Sequence, residues 1–239
     1  SLGVWHFVAR LGVAREAAAV IAAPAPEAEG ADVHYIFAFG GRDAAGDYLD
    51  SYESARITVG LDGFPAVGAF LPGVQTLGPA RAEHAAFLVT NVETAAIPEG
   101  QPWIFVGPGR TANGFSRAVE AGAVLAGGGL ASLIATDSIN GDVAGYAAGS
   151  ANGFLFVLGG QSGQPGDGGV SAEICLSSNT PGCNAAPAEP PDLRNWNGLG
   201  VRFTEARVFP GFTQESAFFF VVGGRGPDGP TRSVDRTVQ

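Results

Sequence analysis

Four short apolar runs, each closed by glycine, recur along this 239-residue chain and restrict what it can fold into. They are His34-Tyr-Ile-Phe-Ala-Phe-Gly-Gly41, Trp103-Ile-Phe-Val-Gly-Pro-Gly109, Phe154-Leu-Phe-Val-Leu-Gly-Gly160 and Phe218-Phe-Phe-Val-Val-Gly-Gly224. Their marker glycines Gly40, Gly107, Gly159 and Gly223 lie 67, 52 and 64 residues apart. Each run is aromatic and β-branched, and too short for a buried helix. It reads as a strand buried on both faces. A repeat of this period calls for one supersecondary unit stacked several times.

Composition supports the β reading. Glycine (37) and proline (16) make up 53 residues, about 22% of the chain, against roughly 12% in an average protein. A bundle of long helices does not tolerate that share; a turn-rich all-β chain does. The chain has 23 acidic and 13 basic residues, a net charge of −10. Such a surface repels a phosphate backbone and excludes an ordinary nucleic-acid binder. All the basic residues are arginine, and methionine is absent. The richness in Ala, Gly, Arg and Pro fits a GC-rich, bacterial coding sequence, and the missing initiator predicts a processed or excised chain. No stretch of about 20 apolar residues is available for a membrane span. Cys175 and Cys183 bracket seven residues that include Asn, Pro and Gly. This favours a short loop closed by a disulfide, and with it an extracellular, cell-surface or periplasmic protein.

Further elements flank each run. Before it stands an Ala-Arg pair followed by small apolar residues: Ala14-Arg15, Ala80-Arg81 and Ala206-Arg207; the copy at Asp142-Val-Ala-Gly145 has lost the arginine. After it come a polar loop and a third strand, at residues 50–59, 116–124, 170–176 and 233–238. Asn-Gly pairs at Asn113, Asn140, Asn152 and Asn197 predict tight turns. Residues 9–23 and 116–126 are Ala-rich enough to favour helix by propensity alone, but Gly12, Gly122 and the repeat context predict strands there.

This order of Ala-Arg, apolar run, glycine pair, loop and alternating strand resembles the kelch motif, one blade of a β-propeller. The family's tyrosine after the glycine pair is matched by Tyr52, most of its other aromatic positions are lost, and the second copy has Gly-Pro-Gly. The resemblance implies an all-β, kelch-like propeller forming a single domain over 1–239, with four four-stranded blades. These fall at about 11–79, 80–141, 142–205, and 206–239 with 1–10. The last blade would be closed by an N-terminal strand at residues 3–9, with Trp5 as the family's tryptophan. The alternative is a fragment of a six- or seven-bladed ring.

The residues directly after the glycine markers are Arg42, Arg110, Gln161 and Arg225. They fall where the second strand ends, and Arg15, Arg81 and Arg207 fall where the first begins. Antiparallel neighbours place both sets at one face of the disk. Up to six arginines would then ring one mouth. Arginine holds carboxylates in a two-pronged, charge-assisted way, and protein-binding kelch propellers use loop arginines in this manner. The expected partner is a protein segment or ligand bearing negative charge. The competing reading makes the arginines latches, paired with Glu16, Asp43, Glu83 or Glu205.

No catalytic or metal-binding set is legible. His6, His34 and His84 lack paired metal spacing, and no nucleophile motif is present. The acidic loops at 43–50 and 137–142 do not match an EF-hand, so no cofactor is expected, with calcium the nearest candidate. The expected function is non-catalytic recognition or scaffolding. A carbohydrate-processing enzyme on the same fold and a structural repeat of a surface assembly are the alternatives.

Overall fold

A computed structural model describes residues 7–26, 33–59, 64–92, 100–175, 191–200, 202–215 and 218–238. Four antiparallel sheets follow one another in chain order. The first contains β1 (Ala19–Pro24), β2 (Val33–Phe39) and β3 (Tyr52–Val59), with β4 (Pro65–Val67) and β5 (Leu71–Pro72) both pairing β3. The second runs β6 (Ala86–Val92), β7 (Gln101–Val106), then past a hairpin of β8 (Gly109–Thr111) and β9 (Gly114–Ser116) to β10 (Glu120–Ala123) and β11 (Ile134–Ala135). The third contains β12 (Ala147–Ala151), β13 (Phe154–Leu158), β14 (Gly169–Glu173) and β15 (Asn197–Gly198). The fourth contains β16 (Gly211–Glu215), β17 (Phe218–Val222) and β20 (Val234–Val238), with the hairpin β18 (Arg225–Gly226) and β19 (Gly229–Pro230) inserted before β20. The protein is a four-bladed β-propeller. The four apolar runs are β2, β7, β13 and β17, the second strand of each blade.

Three apolar clusters hold consecutive blades together. Side chains alternate along each second strand, so one strand feeds two interfaces. Phe37 and Phe39 of blade 1 meet Ile104 and Val106 of blade 2. From the other face of the same strand, Trp103 and Phe105 meet Leu155 and Val157 of blade 3. Leu158 of blade 3 then meets Phe219 and Val221 of blade 4. This double burial explains why the runs are continuously apolar rather than alternating.

Tertiary packing overrides local helix propensity. No α-helix occurs among the described residues; Ala19–Pro24 and Glu120–Ala123 are strands. Among the described residues the helical exception is a 3-10 turn, Ala126–Gly128. The first strands begin later than the Ala-Arg pairs suggest: Arg15, Arg81 and Arg207 precede β1, β6 and β16 by four, five and four residues. The arginines belong to the segments that lead into the blades. Asn197, expected in a turn, opens β15. Of the expected closing strand, residues 3–6 lie outside the described residues, and residues 7–10 carry no strand. The described fourth sheet has three strands.

Candidate functional site

The second glycine of each pair lets the lead-in segment cross the end of the second strand. A Cβ on Gly41 would stand 2.7 Å from the Glu16 carbonyl, and Gly41 has φ +94°. A Cβ on Gly109 would stand 2.6 Å from the Ala82 carbonyl. Only glycine allows both the approach and, at Gly41, the left-handed backbone. The crossing forms an antiparallel bridge in every blade: Glu16 with Arg42, Ala82 with Arg110, Ala144 with Gln161 and Val208 with Arg225. These bridges place the four post-glycine residues in equivalent positions at one mouth of the propeller.

Next to the bridges runs a chain of backbone hydrogen bonds. The Glu83 N–H donates to Ala17 O (2.9 Å), the Gly145 N–H to Glu83 O (2.8 Å) and the Phe209 N–H to Gly145 O (2.7 Å). All four residues have positive φ, between 50° and 65°. Three are not glycine, and that conformation is uncommon for them. The blade-to-blade hydrogen bonds offset the strain. The sequence holds no signal for this row, because Ala, Glu, Gly and Phe share no property.

The seven candidate side chains divide into two layers. Arg15, Arg81 and Arg207 have fully buried side chains. Each guanidinium enters its own blade and donates to the strand-end backbone: Arg15 to Gly40 O (2.8 Å), Arg81 to Gly107 O (3.0 Å), and Arg207 to Gly223 O (3.4 Å) and Ser233 O (3.1 Å). Each also pairs with a carboxylate from the third strand. Arg15 meets Glu53 at 2.8 Å, Arg81 meets Glu120 at 2.7 Å, and Arg207 pairs with Asp235. Burial alone would raise the Glu53 carboxyl; the Arg15 hydrogen bond and charge and the Gly12 and Val13 amides outweigh it and hold it below the usual range. Asp235 is likewise pushed up by burial but held low overall by Thr204 and Arg207. Sequence reasoning offered Glu16, Asp43, Glu83 and Glu205 as partners and missed the buried ones. A signal was available. The third strands carry Tyr52-Glu53, Val119-Glu120 and Val234-Asp235 at the same register, opposite Ala38, Val106 and Val221. Blade 3, which lacks the arginine, has Val170 there, opposite Val157.

The exposed layer is uneven. Glu83 is nearly buried between two blades, 3.6 Å from Arg42 and 3.3 Å from Arg110, and Arg42 also meets Glu16 at 3.1 Å. Arg42 lies over the Tyr48 ring and Arg110 over Phe115. Half of the mouth is thus internally neutralised. In the other half, Arg225 has no carboxylate within ion-pair distance among the described residues. With Gln161, Gln164 and the Phe209 backbone bend it lines a cleft of about 310 Å³. Arg225 offers a two-pronged donor, and the glutamine amides donate or accept beside it. Such an arrangement holds a carboxylate or another planar anion.

The remaining candidates sit elsewhere. His84, expected inside a first strand, precedes β6 and is buried. Desolvation and the nearby Arg81 charge lower its pKa to about 3, so it is neutral in the fold. The Asp43 carboxylate caps its own turn through the Ala45 and Asp47 amides. Among the described residues, no three His, Cys, Asp or Glu side chains converge as a metal site, and no helix is long and apolar enough to cross a membrane. Cys175, two residues after β14, is buried; Cys183 and the loop around it lie outside the described residues.

The fold and the layered arginines define this chain as a propeller with a basic cleft at one mouth. No protein-family model matches the sequence, and no curated protein matches it.

Proposed function

We propose that the chain is a non-catalytic recognition propeller that binds an acidic segment of a protein partner at the Arg225 mouth. One observation carries this reading: Arg225 stands in a cleft beside Gln161 and Gln164 without a carboxylate partner, whereas the arginines of blades 1 and 2 are already paired. A guanidinium at the rim of a concave site in a protein of net charge −10 is a local exception to the surface field. It favours an incoming carboxylate over a cation. The kelch-like repeat, a bacterial and exported origin, and a Cys175–Cys183 disulfide complete the proposal; they rest on the glycine-pair motif, the composition and the cysteine spacing.

The test is binding of a fluorescent Glu-rich peptide, followed by anisotropy at low and high salt. Charge-assisted hydrogen bonds contribute about 1.5–3 kcal/mol each. Arg225→Ala should therefore weaken binding about tenfold or more, and added salt should weaken it further. Equal affinity in wild type and Arg225→Ala would sink the assignment. Equal affinity in Arg42→Ala is expected, because Glu16 and Glu83 occupy that side chain.

A further inference from the structure

The seam of blades 1 and 2 carries a second cleft on the mouth, and it shares no residue with the Arg225 cleft. Its volume is about 570 Å³, and Asp47, Tyr48, Pro79, Thr111, Asn113 and Phe115 contribute to its walls. That volume lies within the roughly 300–1,000 Å³ of small-ligand sites. The two rings occupy one repeat position. Each mouth residue faces a partner across its own hairpin: Arg42 faces Tyr48, Arg110 faces Phe115, Gln161 faces Pro165 and Arg225 faces Pro230. Blades 1 and 2 place an aromatic ring there, whereas blades 3 and 4 place a proline.

The mouth arginines of blades 1 and 2 mount these rings. The Arg42 Cζ stands over the Tyr48 ring, 5.9 Å from its centroid, and the Arg110 Cζ over Phe115 at 5.0 Å. Both guanidinium groups share Glu83, at 3.6 and 3.3 Å. One nearly buried carboxylate therefore ties together two ring-bearing arms from adjacent blades. Polar groups stand beside the rings. Asp47 and Asn113 are exposed, and their backbones are anchored: the Asp47 amide donates to Asp43 Oδ1 (3.0 Å) and the Asn113 amide to Thr111 Oγ1 (3.2 Å). Among the described residues, the Asp47 carboxylate, the Asn113 carboxamide and the Tyr48 hydroxyl have no hydrogen-bond or ion-pair partner.

The lining selects the ligand by charge and shape. A cation is disfavoured, because each ring already carries a guanidinium over it. An anion is disfavoured by Asp47, and Arg42 and Arg110 are committed to Glu16 and Glu83. A purely apolar group would strip water from the carboxylate and the carboxamide and return no hydrogen bond. What remains is a neutral molecule with a flat C–H face for the rings and hydroxyl groups at its edge. The hydroxyls donate to Asp47 and both donate to and accept from Asn113. We propose that this cleft binds a neutral pyranose sugar, with Tyr48 and Phe115 as the stacking surfaces and Asp47 and Asn113 as the hydroxyl partners.

The experiment is calorimetric titration of the 239-residue chain with cellotetraose, mannotetraose and maltotetraose. Titrating to about 10 mM reaches dissociation constants well into the millimolar range. At least one of the three is expected to bind, with an affinity that added salt leaves unchanged, since no net charge is exchanged. Tyr48→Leu and Phe115→Leu keep apolar bulk and remove the ring, and each should weaken binding about tenfold or more. Asp47→Ala and Asn113→Ala change exposed side chains, leave the fold intact by circular dichroism, and should each weaken binding about three- to tenfold. Binding of none of the sugars overturns the proposal. So does an affinity that all four substitutions leave unchanged, or one that falls steeply with salt. Tighter binding of tetramethylammonium chloride or of a decaproline peptide overturns it too, and reassigns the cleft to a cation or to a proline-rich segment. None of these readings involves the Arg225 cleft, so they stand or fall independently of the acidic-segment proposal.

Discussion

Replacing Glu120 by Val leaves the Arg81 guanidinium buried without a counter-charge. Arg81 has no exposed side-chain surface, and its Nη2 lies 2.7 Å from Glu120. Its other donors reach Gly107 O and Pro79 O (3.0 Å each) and Val106 O (3.2 Å), carbonyls that do not neutralise charge. Glu120 also accepts from the Gly78 amide at 3.0 Å. Removing one partner of a buried pair costs about 3–5 kcal/mol. At about 2–4 °C per kcal/mol for a chain of this size, Tm falls by roughly 6–20 °C. Arg81→Val carries a similar cost, because the carboxylate then stays buried. The double variant Arg81→Val/Glu120→Val reproduces what blade 3 already contains: Val143 and Val170, both packed against the blade 2–3 core. No charge is left behind, and the penalty reduces to carbonyls short of a donor and one amide short of an acceptor. The double variant is expected to be about as stable as either single one, a coupling of about 3–5 kcal/mol. Urea unfolding followed by fluorescence of Trp103 and Trp196, both buried, measures all four corners of the cycle, and unchanged m-values confirm that the unfolded states are comparable. Single costs that simply add in the double variant would refute the latch, as would a Glu120→Val cost below about 1 kcal/mol.

Buried His84 makes a pH prediction with a definite sign. Its folded pKa is about 3, below the unfolded value near 6.5, so the unfolded state binds the proton first and stability falls as pH drops from about 6.5 towards 3. The slope is about 1.4 kcal/mol per pH unit, and His84→Asn should flatten it in pH-dependent urea unfolding; an unchanged slope would mean that another group carries it. For Glu53, whose folded pKa is lowered, the contribution is fully present above the unfolded carboxyl value of about 4.3 and is lost as pH falls through the lower folded value. Glu53→Gln should therefore be less stable than wild type at neutral pH and converge with it in acid, and a constant difference down to strong acid would count against the Arg15 pair. Tyr146 accepts from the Ala85 amide (3.2 Å) and donates to Pro108 O (2.9 Å). Tyr146→Phe leaves both without that partner and should cost about 1–3 kcal/mol by thermal unfolding, whereas a cost near zero would show that the hydroxyl is dispensable.

The second strands were legible because burial on both faces imprints an unbroken apolar run, and the glycine pairs because a crossing backbone excludes a Cβ. Both signals are local. The buried layer of the candidate site was not legible, because its pairs join residues 38, 39 and 28 positions apart. Nearness along the chain found carboxylates of the mouth, since Glu16 and Glu83 meet Arg42 and Arg110, and missed those of the buried arginines. The start of each first strand was read too early for a related reason. Ala-Arg with small apolar residues has the composition of a strand, but Ala17, Glu83 and Phe209 take a left-handed backbone between the arginine and the strand. Tertiary hydrogen bonds stabilise that turn, and no residue type announces it.

Blade 3 shows what the arginine pairs are for. It lacks the buried arginine (Val143) and the buried carboxylate (Val170), yet it folds as a blade of the same order, with a register like that of its neighbours. The pair is therefore not what makes a blade. Blade 3 departs at a third position as well: its mouth residue is Gln161, where the three latched blades have Arg42, Arg110 and Arg225. The link is geometric. In each latched blade the residue immediately after the buried arginine forms the bridge to the mouth arginine. Blade 3 makes the same bridge, Ala144 with Gln161, without an arginine, so the bridge forms unaided; tying the buried guanidinium to the strand-end carbonyls restrains it further, and with it the backbone from which the mouth guanidinium projects. A charged group that must meet a partner at a set angle gains from such a mounting, since less freedom remains to be lost on binding; a neutral glutamine at the same place has less need of it. On this argument Asp235→Val, which frees Arg207, reduces peptide capture at Arg225 although it removes a negative charge near the basic cleft. A simple field effect predicts the opposite sign, so the direction of the change in affinity decides between mounting and electrostatics.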